Sequence, residues 1–285
     1  MCSTSGIFPR IQGKENPVVK ADPKSKAVLA NALAKAMVTD NRGLLPKVAD
    51  RRKDGSWTFR DDPPVLTRVD KSTKQKVIRT LNEYSHTMTR ERRIMLSRYQ
   101  IADVGHRVVG VGSVGTRAYL VLLFGNGDGD PLFLQVKEAI EPAHAKFLPG
   151  LPEEFHHNGR RVVIGQRALQ ASSDPMLGFT EMDGRHFYVR QMKNLKASIP
   201  VEWLTGPAFN FHARACGGIL ARAHARTGDP ARVAGYCGNS AVLDDALAKW
   251  AESYGDQTES DHAALVGAIR RGNVEADLSE RGGAE

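Results

Sequence analysis

Gly110-Val111-Gly112-Ser113-Val114-Gly115 runs directly into Thr116-Arg117-Ala118-Tyr119-Leu120-Val121-Leu122-Leu123-Phe124, then into the breaker run Gly125 to Asp130 and a second apolar stretch, Pro131 to Ala139. Glycines at this spacing also open the helix of a dinucleotide-binding βαβ unit, so the residues after them decide the fold. Those residues are β-branched, aromatic and aliphatic, and the glycine-rich break comes too soon for a crossover helix. The reading is strand, turn, strand. Glycine lets the backbone of such a hairpin tip approach a phosphate and point N–H groups at it.

Lys137 lies 22 residues beyond Gly115 on the next strand. There Leu132, Leu134 and Val136 alternate with Phe133, Gln135 and Lys137, which turns the lysine away from the aliphatic row, toward a site or solvent. The candidate phosphate-binding set is therefore Gly110, Gly112, Ser113, Gly115 and Lys137. A glycine-rich surface hairpin with an ordinary exposed lysine competes with this reading, as does a dinucleotide fold.

The chain has 285 residues, 41% of them hydrophobic, which is ample for a core. Its longest apolar run is Ala118 to Phe124, far short of a membrane span, and Met1 to Gly6 lacks the regions of a signal peptide, so a cytoplasmic protein is expected. Cys2, Cys216 and Cys237 are an odd set that suits reduced thiols. The overall +8 is uneven: residues 1–109 carry 22 Lys/Arg against 11 Asp/Glu, whereas residues 110–285 carry 18 against 21. The basic third, residues 71–109 above all, is the expected surface for an acidic protein partner or for self-association. Nucleic acid is not indicated, because the Arg51-Arg52-Lys53 and Arg90 to Arg93 clusters are not interleaved with aromatics.

Along the chain, residues 1–25 read as a loose tail and residues 26–109 as a basic, mostly helical region. Within it a helix over Ala27 to Val38 ends near Asn41-Arg42-Gly43, a short hairpin forms around Asp54-Gly55 and Trp57-Thr58-Phe59, and Pro63-Pro64 is extended. Lys71 to Tyr99 is one long helix, or two with a break near Thr87-Met88-Thr89. After Lys137 come a helix at Arg161 to Ala171 and two strands, Leu177 to Met182 and His186 to Met192, joined by Asp183-Gly184. Three helices follow: Ala208 to Thr227, Ala241 to Tyr254 closing at Gly255, and Glu259 to Arg271. Thr258 to Asp261 has the spacing of a capping box for the last of them. Residues 273–285 read as a disordered tail. His212, Cys216 and His224 on one helix, with Cys237, could hold a metal, but a core cysteine beside two ordinary histidines is the preferred reading and no metal is assigned.

Glycine loop, lysine strand, helix, two-stranded hairpin, a linker at Lys193 to Lys196 and a helical region is the order of a kinase small lobe joined to its helical partner. The fold class is thus α+β, with an about five-stranded antiparallel sheet and a helix over residues 110–196, followed by a helical lobe over 197–272. Five blocks carry a sharper resemblance: Val108 to Arg117, Leu132 to Ala139, Gly165-Gln166-Arg167, Phe187 to Gln191 and Leu220 to Ala225 resemble the bacterial domain of unknown function 2252 family. The resemblance spans about Lys26 to Gly272 and implies a kinase-like fold, with ATP and Mg²⁺ as the cofactors.

Two departures qualify what it implies. Members of that family carry a Gly-Asp-x-His-x-x-Asn-type and an Asp-x-Asn-Asp-type segment ahead of the glycine loop, whereas here only Asp40-Asn41 and Asp61-Asp62 precede it. No catalytic Asp loop follows Lys137 either. The chain therefore reads as a truncated or degenerate member that binds nucleotide and is catalytically incomplete. In addition, Arg160 to Leu169 contains no acid to hold Lys137, and Glu153 and Glu154 lie just upstream. The alternatives are an active phosphotransferase using Asp256 and Asp261, or a basic scaffold or nucleic-acid-binding protein in which the loop is vestigial.

Overall fold

The computed structural model describes residues 40–108, 115–147, 150, 152–170, 172–192, 199, 201 and 204–276, together with Ala27, Ala30, Asn31, Ala32 and Ala34, which are helical. The chain divides into two compact units, residues 1–227 and 228–285. In the first unit α1 (Asn41–Val48) leads into a small hairpin of β1 (Ala49–Arg51) and β2 (Trp57–Phe59). Then follow β3 (Leu66–Arg68), α2 (Lys71–His86), α3 (Arg90–Leu96), β4 (Gln100–Arg107), β5 (Ala118–Phe124) and β6 (Pro131–Glu138). The unit is completed by α4 (Asn158–Leu169), β7 (Gly178–Met182), β8 (Arg185–Gln191) and α5 (Gly206–Thr227).

The main sheet is antiparallel throughout, in the order β3-β4-β5-β6-β8-β7. It has six strands rather than about five. The extra one, β3, follows the Pro63-Pro64 stretch and pairs Leu66 with Arg107 at the sheet edge. Three residues after a double proline give too short a run for alternation to register. β3 and β4 lie before residue 110, so the sheet draws on both sides of the boundary expected there.

Alternation gives the sheet two buried faces, each with its own cover. Val121, Leu134, Val136, Phe187 and Val189 form a core with Val77, Leu81 and Tyr84 of α2, and the Tyr84 hydroxyl donates to Met176 O at 2.6 Å. Leu120, Leu122 and Phe133 pack on the other face against Leu44 and Leu45 of α1 and Phe59 of β2. The basic helix α2 is thus a structural lid on one face, and the break expected within residues 71–99 falls between His86 and Arg90.

α1 replaces the helix end expected near Asn41 to Gly43. Asp40 caps it by accepting from Gly43 N at 2.8 Å, and burial of Leu44 and Leu45 outweighs the cost of Gly43 and Pro46 inside a short helix. The β7–β8 turn forms as its residues dictate: Asp183 (φ 51) and Gly184 (φ 69) both take the left-handed conformation of a two-residue hairpin.

The second unit contains α6 (Pro230–Cys237) and α7 (Val242–Arg270). α6 starts at Asp229, whose side chain accepts from Ala231 N and Arg232 N, with Pro230 in the first turn. α7 runs unbroken through Gly255, contrary to the expected break and capping box. Gly255 does not take the positive φ that ends a helix, Thr258 Oγ1 donates back to Tyr254 O at 2.8 Å, and Asp261 accepts from Gln257 Nε2. Among the described residues no helix is long and apolar enough to cross a membrane.

Candidate functional site

Of the five expected site residues, Gly110, Gly112 and Ser113 lie outside the described residues, while Gly115 and Lys137 are within them. Gly115 is exposed, has φ +82, and a Cβ there would meet nothing within 4 Å. The glycine is required by the backbone conformation and not by crowding.

Register determines what surrounds Lys137. Its partners are Ala118 on β5 and Tyr188 on β8, and directly paired residues share a face. His106 pairs with Tyr119, so Arg107 comes level with Ala118. One row across the sheet is therefore Arg107, Ala118, Lys137, Tyr188 and Phe179. The next row on the same face is Gly105, Leu120, Gln135 and Arg190, where Arg190 Nε donates to Gln135 Oε1 at 3.0 Å. Three cations from three strands, Arg107, Lys137 and Arg190, thus stand on one face around the small Ala118, beside the segment that carries the glycine loop.

The electrostatics match that placement. Burial, and then the Arg190 guanidinium, push the Lys137 ammonium below its ordinary pKa. Burial lowers that of Arg107 as well. Arg107 Nε is buried and has no hydrogen-bond partner among the described residues, an arrangement that costs free energy until an acceptor arrives.

On the opposite face, Glu138 secures the end of the loop. Its carboxylate accepts from Arg117 N at 2.9 Å and pairs with the Arg117 and Arg185 guanidinium groups at 3.3 and 3.1 Å. Although burial opposes its charge, these donors hold its pKa below the ordinary value.

α4 borders the cation face from the β7–β8 side. Its first turn packs on β8 so closely that a Cβ on Gly159 would collide with the Phe187 carbonyl oxygen. Gly159→Ala is expected to destabilise the fold by about 2 kcal/mol, read as a lower urea midpoint. α4 carries no acid, and Glu154, from the turn before it, lies 3.8 Å from Arg160.

The start of α4 also holds a cluster absent from the sequence-based reading. His157, Glu181 and His186 bring their ligand atoms within 4.8 Å of one another, and the two imidazoles stack at 4.0 Å. As a metal site this set fits poorly. Arg160 N donates to His157 Nδ1 and Asn158 N to His186 Nδ1, so both Nδ1 atoms are acceptors and each neutral ring carries its proton on Nε2. The rings cap a helix. Burial, then the neighbouring His186, lower the His157 pKa below 6.5. A depressed histidine pKa means that its stabilisation is present above the unfolded value and is lost as pH falls through the folded one. The melting temperature is therefore expected to drop as pH is lowered from 7 to 5, with a weaker drop in His157→Asn, which keeps a capping side chain.

His212 and Cys216 lie one turn apart on α5, with Sγ and Nε2 3.7 Å apart, and Cys216 and Cys237 are free thiols that are exposed, so the expected core cysteine is instead a surface one.

Arg107, Tyr188 and Arg190 were missed because the sequence shows each strand's parity but not which strands are neighbours. The alternation of His186, Tyr188 and Arg190 with Phe187 and Val189 was visible, whereas an irregularity between Ile101 and Asp103 hides that of β4.

Comparison with known proteins gives one family. The model of DUF2252, described as an uncharacterised protein conserved in bacteria, matches residues 11–268. No curated protein and no solved structure matches the chain.

Proposed function

The chain belongs to the bacterial family DUF2252, and from that premise we propose that it is a nucleotide-binding module with a kinase-like small lobe, catalytically incomplete on its own. The observation that carries the reading is the shared face of Lys137, Arg107 and Arg190 at the foot of the glycine loop. The order of elements supports it: loop hairpin β4–β5, lysine strand β6, helix α4 on the lysine's face, then the β7–β8 hairpin folded back so that β8 lies beside the lysine strand.

In this reading the loop N–H groups and the cations bind the phosphates. Phosphoryl transfer needs, in addition, carboxylates that position a metal and an acceptor hydroxyl, and the sequence contains no recognisable catalytic Asp loop. Binding without turnover is the expected behaviour. A thermal shift with ATP and a single-turnover assay with radiolabelled ATP test it together. A shift without transfer or hydrolysis supports the proposal, whereas turnover abolished by Asp256→Asn or Asp261→Asn would replace it with an active phosphotransferase. The absence of any shift would return the loop to a surface hairpin.

A further inference from the structure

We infer that the cation-bearing face of the sheet takes a polyphosphate chain directly on Arg107, Lys137 and Arg190, without a divalent metal, an inference that rests on the nucleotide-binding reading above. A Mg²⁺-bound nucleotide is ordinarily held by one or two carboxylates as well as by its own phosphates. The two rows that carry the cations, Arg107–Ala118–Lys137–Tyr188 and Gly105–Leu120–Gln135–Arg190, contain no carboxylate. Among the described residues, two acids on this face of the sheet are committed elsewhere. Asp103 accepts from Phe59 N, Thr58 Oγ1 and Lys74 Nζ, and Glu181 sits with the two histidines at the start of α4. The donor set suits an anion and not a metal.

Spacing points the same way. Arg107 and Lys137 are separated by one intervening strand, so their backbones lie about 10 Å apart, a span that two long cationic side chains close around adjacent phosphates. Ala118 between them provides a small, buried floor. Arg190 flanks Lys137 on its other side, and an anion shared by the pair relieves the repulsion that adds to burial in lowering the lysine pKa. The buried Arg107 Nε gains the acceptor that the described residues do not supply.

The test is a thermal-shift titration of the full chain with inorganic tripolyphosphate and with ATP, each in excess EDTA and in excess Mg²⁺. Both ligands are expected to raise the melting temperature, with shifts in EDTA at least as large as in Mg²⁺. Arg107→Gln and Arg190→Gln should each weaken apparent affinity about tenfold, the loss expected for a charge-assisted contact, and Arg107→Lys should retain part of it. If Arg107→Gln does not fold, as judged by its unliganded melt, Arg107→Lys and Arg190→Gln decide. Shifts seen only with Mg²⁺ overturn the inference and leave nucleotide binding standing. A response to ATP but not to tripolyphosphate overturns it too, because the base would then carry the binding. Unchanged affinity in both arginine variants does the same, and no shift with any ligand overturns the inference and the nucleotide-binding reading together.

Discussion

Asp103→Ala is expected to lower the unfolding free energy by about 3 kcal/mol, one of the largest effects of any single polar substitution in the chain. The side chain is buried and draws three parts of the fold together. One oxygen accepts from Phe59 N at 2.8 Å and Thr58 Oγ1 at 3.0 Å, and the other from Lys74 Nζ at 2.7 Å. It thereby fixes the β1–β2 hairpin to one face of the sheet and α2 to the edge of the other. Without it the Phe59 amide loses its acceptor and Phe59 its anchor over the core. Burial opposes the charge of Asp103, but the Lys74 ammonium and the Phe59 amide outweigh it and lower its pKa from 3.8. A carboxylate with a lowered folded pKa stabilises fully above its unfolded value and loses that contribution as pH falls through the folded one. Urea unfolding should therefore show the wild-type and Asp103→Ala curves converging at acid pH. A midpoint unchanged at neutral pH would show that the hairpin is held by hydrophobic contacts alone.

Lys137→Ala is expected to weaken any ATP-induced thermal shift by a factor of about ten to a hundred in apparent affinity, with little change in the unliganded melting temperature. The lysine is half-buried in the row it shares with Arg107, next to the row that carries Arg190, and its charged form is disfavoured there by burial and by Arg190. Removing it relieves that cost in the free protein and takes away a phosphate contact in the complex, so stability and binding should move independently. Asp256→Asn and Asp261→Asn, on the continuous helix α7, should leave the shift nearly unchanged. Loss of binding in those two variants but not in Lys137→Ala would move the nucleotide away from the glycine loop.

High salt provides a simpler control. The basic residues of 71–109 were expected to form a docking surface, but α2 turns Val77, Leu81 and Tyr84 into the core and spends Lys74 and Lys76 on Asp103 and Asp183. Association through the charges that remain exposed should weaken as ionic strength rises, as measured by sedimentation in increasing NaCl.

The features legible in the sequence were those set by a few neighbouring residues. Asp183-Gly184 specified its turn because two adjacent residues had to adopt positive φ. The apolar run Ala118 to Phe124 specified a strand, and the parity of Phe133, Gln135 and Lys137 put the lysine on a different face from Leu134 and Val136. The sequence by itself therefore determined the hairpins, their turns and the two-sided character of β6. Tertiary structure decided which residues meet. Arg107 and Arg190 lie 30 and 53 positions from Lys137 in the chain, and only strand order and register bring them to one face. Burial of Leu44 and Leu45 made a helix of a segment containing glycine and proline, and pairing with Arg107 made a strand of Leu66 to Arg68. In each case long-range packing supplied a free energy larger than the local preference, and local preference is the part of the balance that a single sequence reveals.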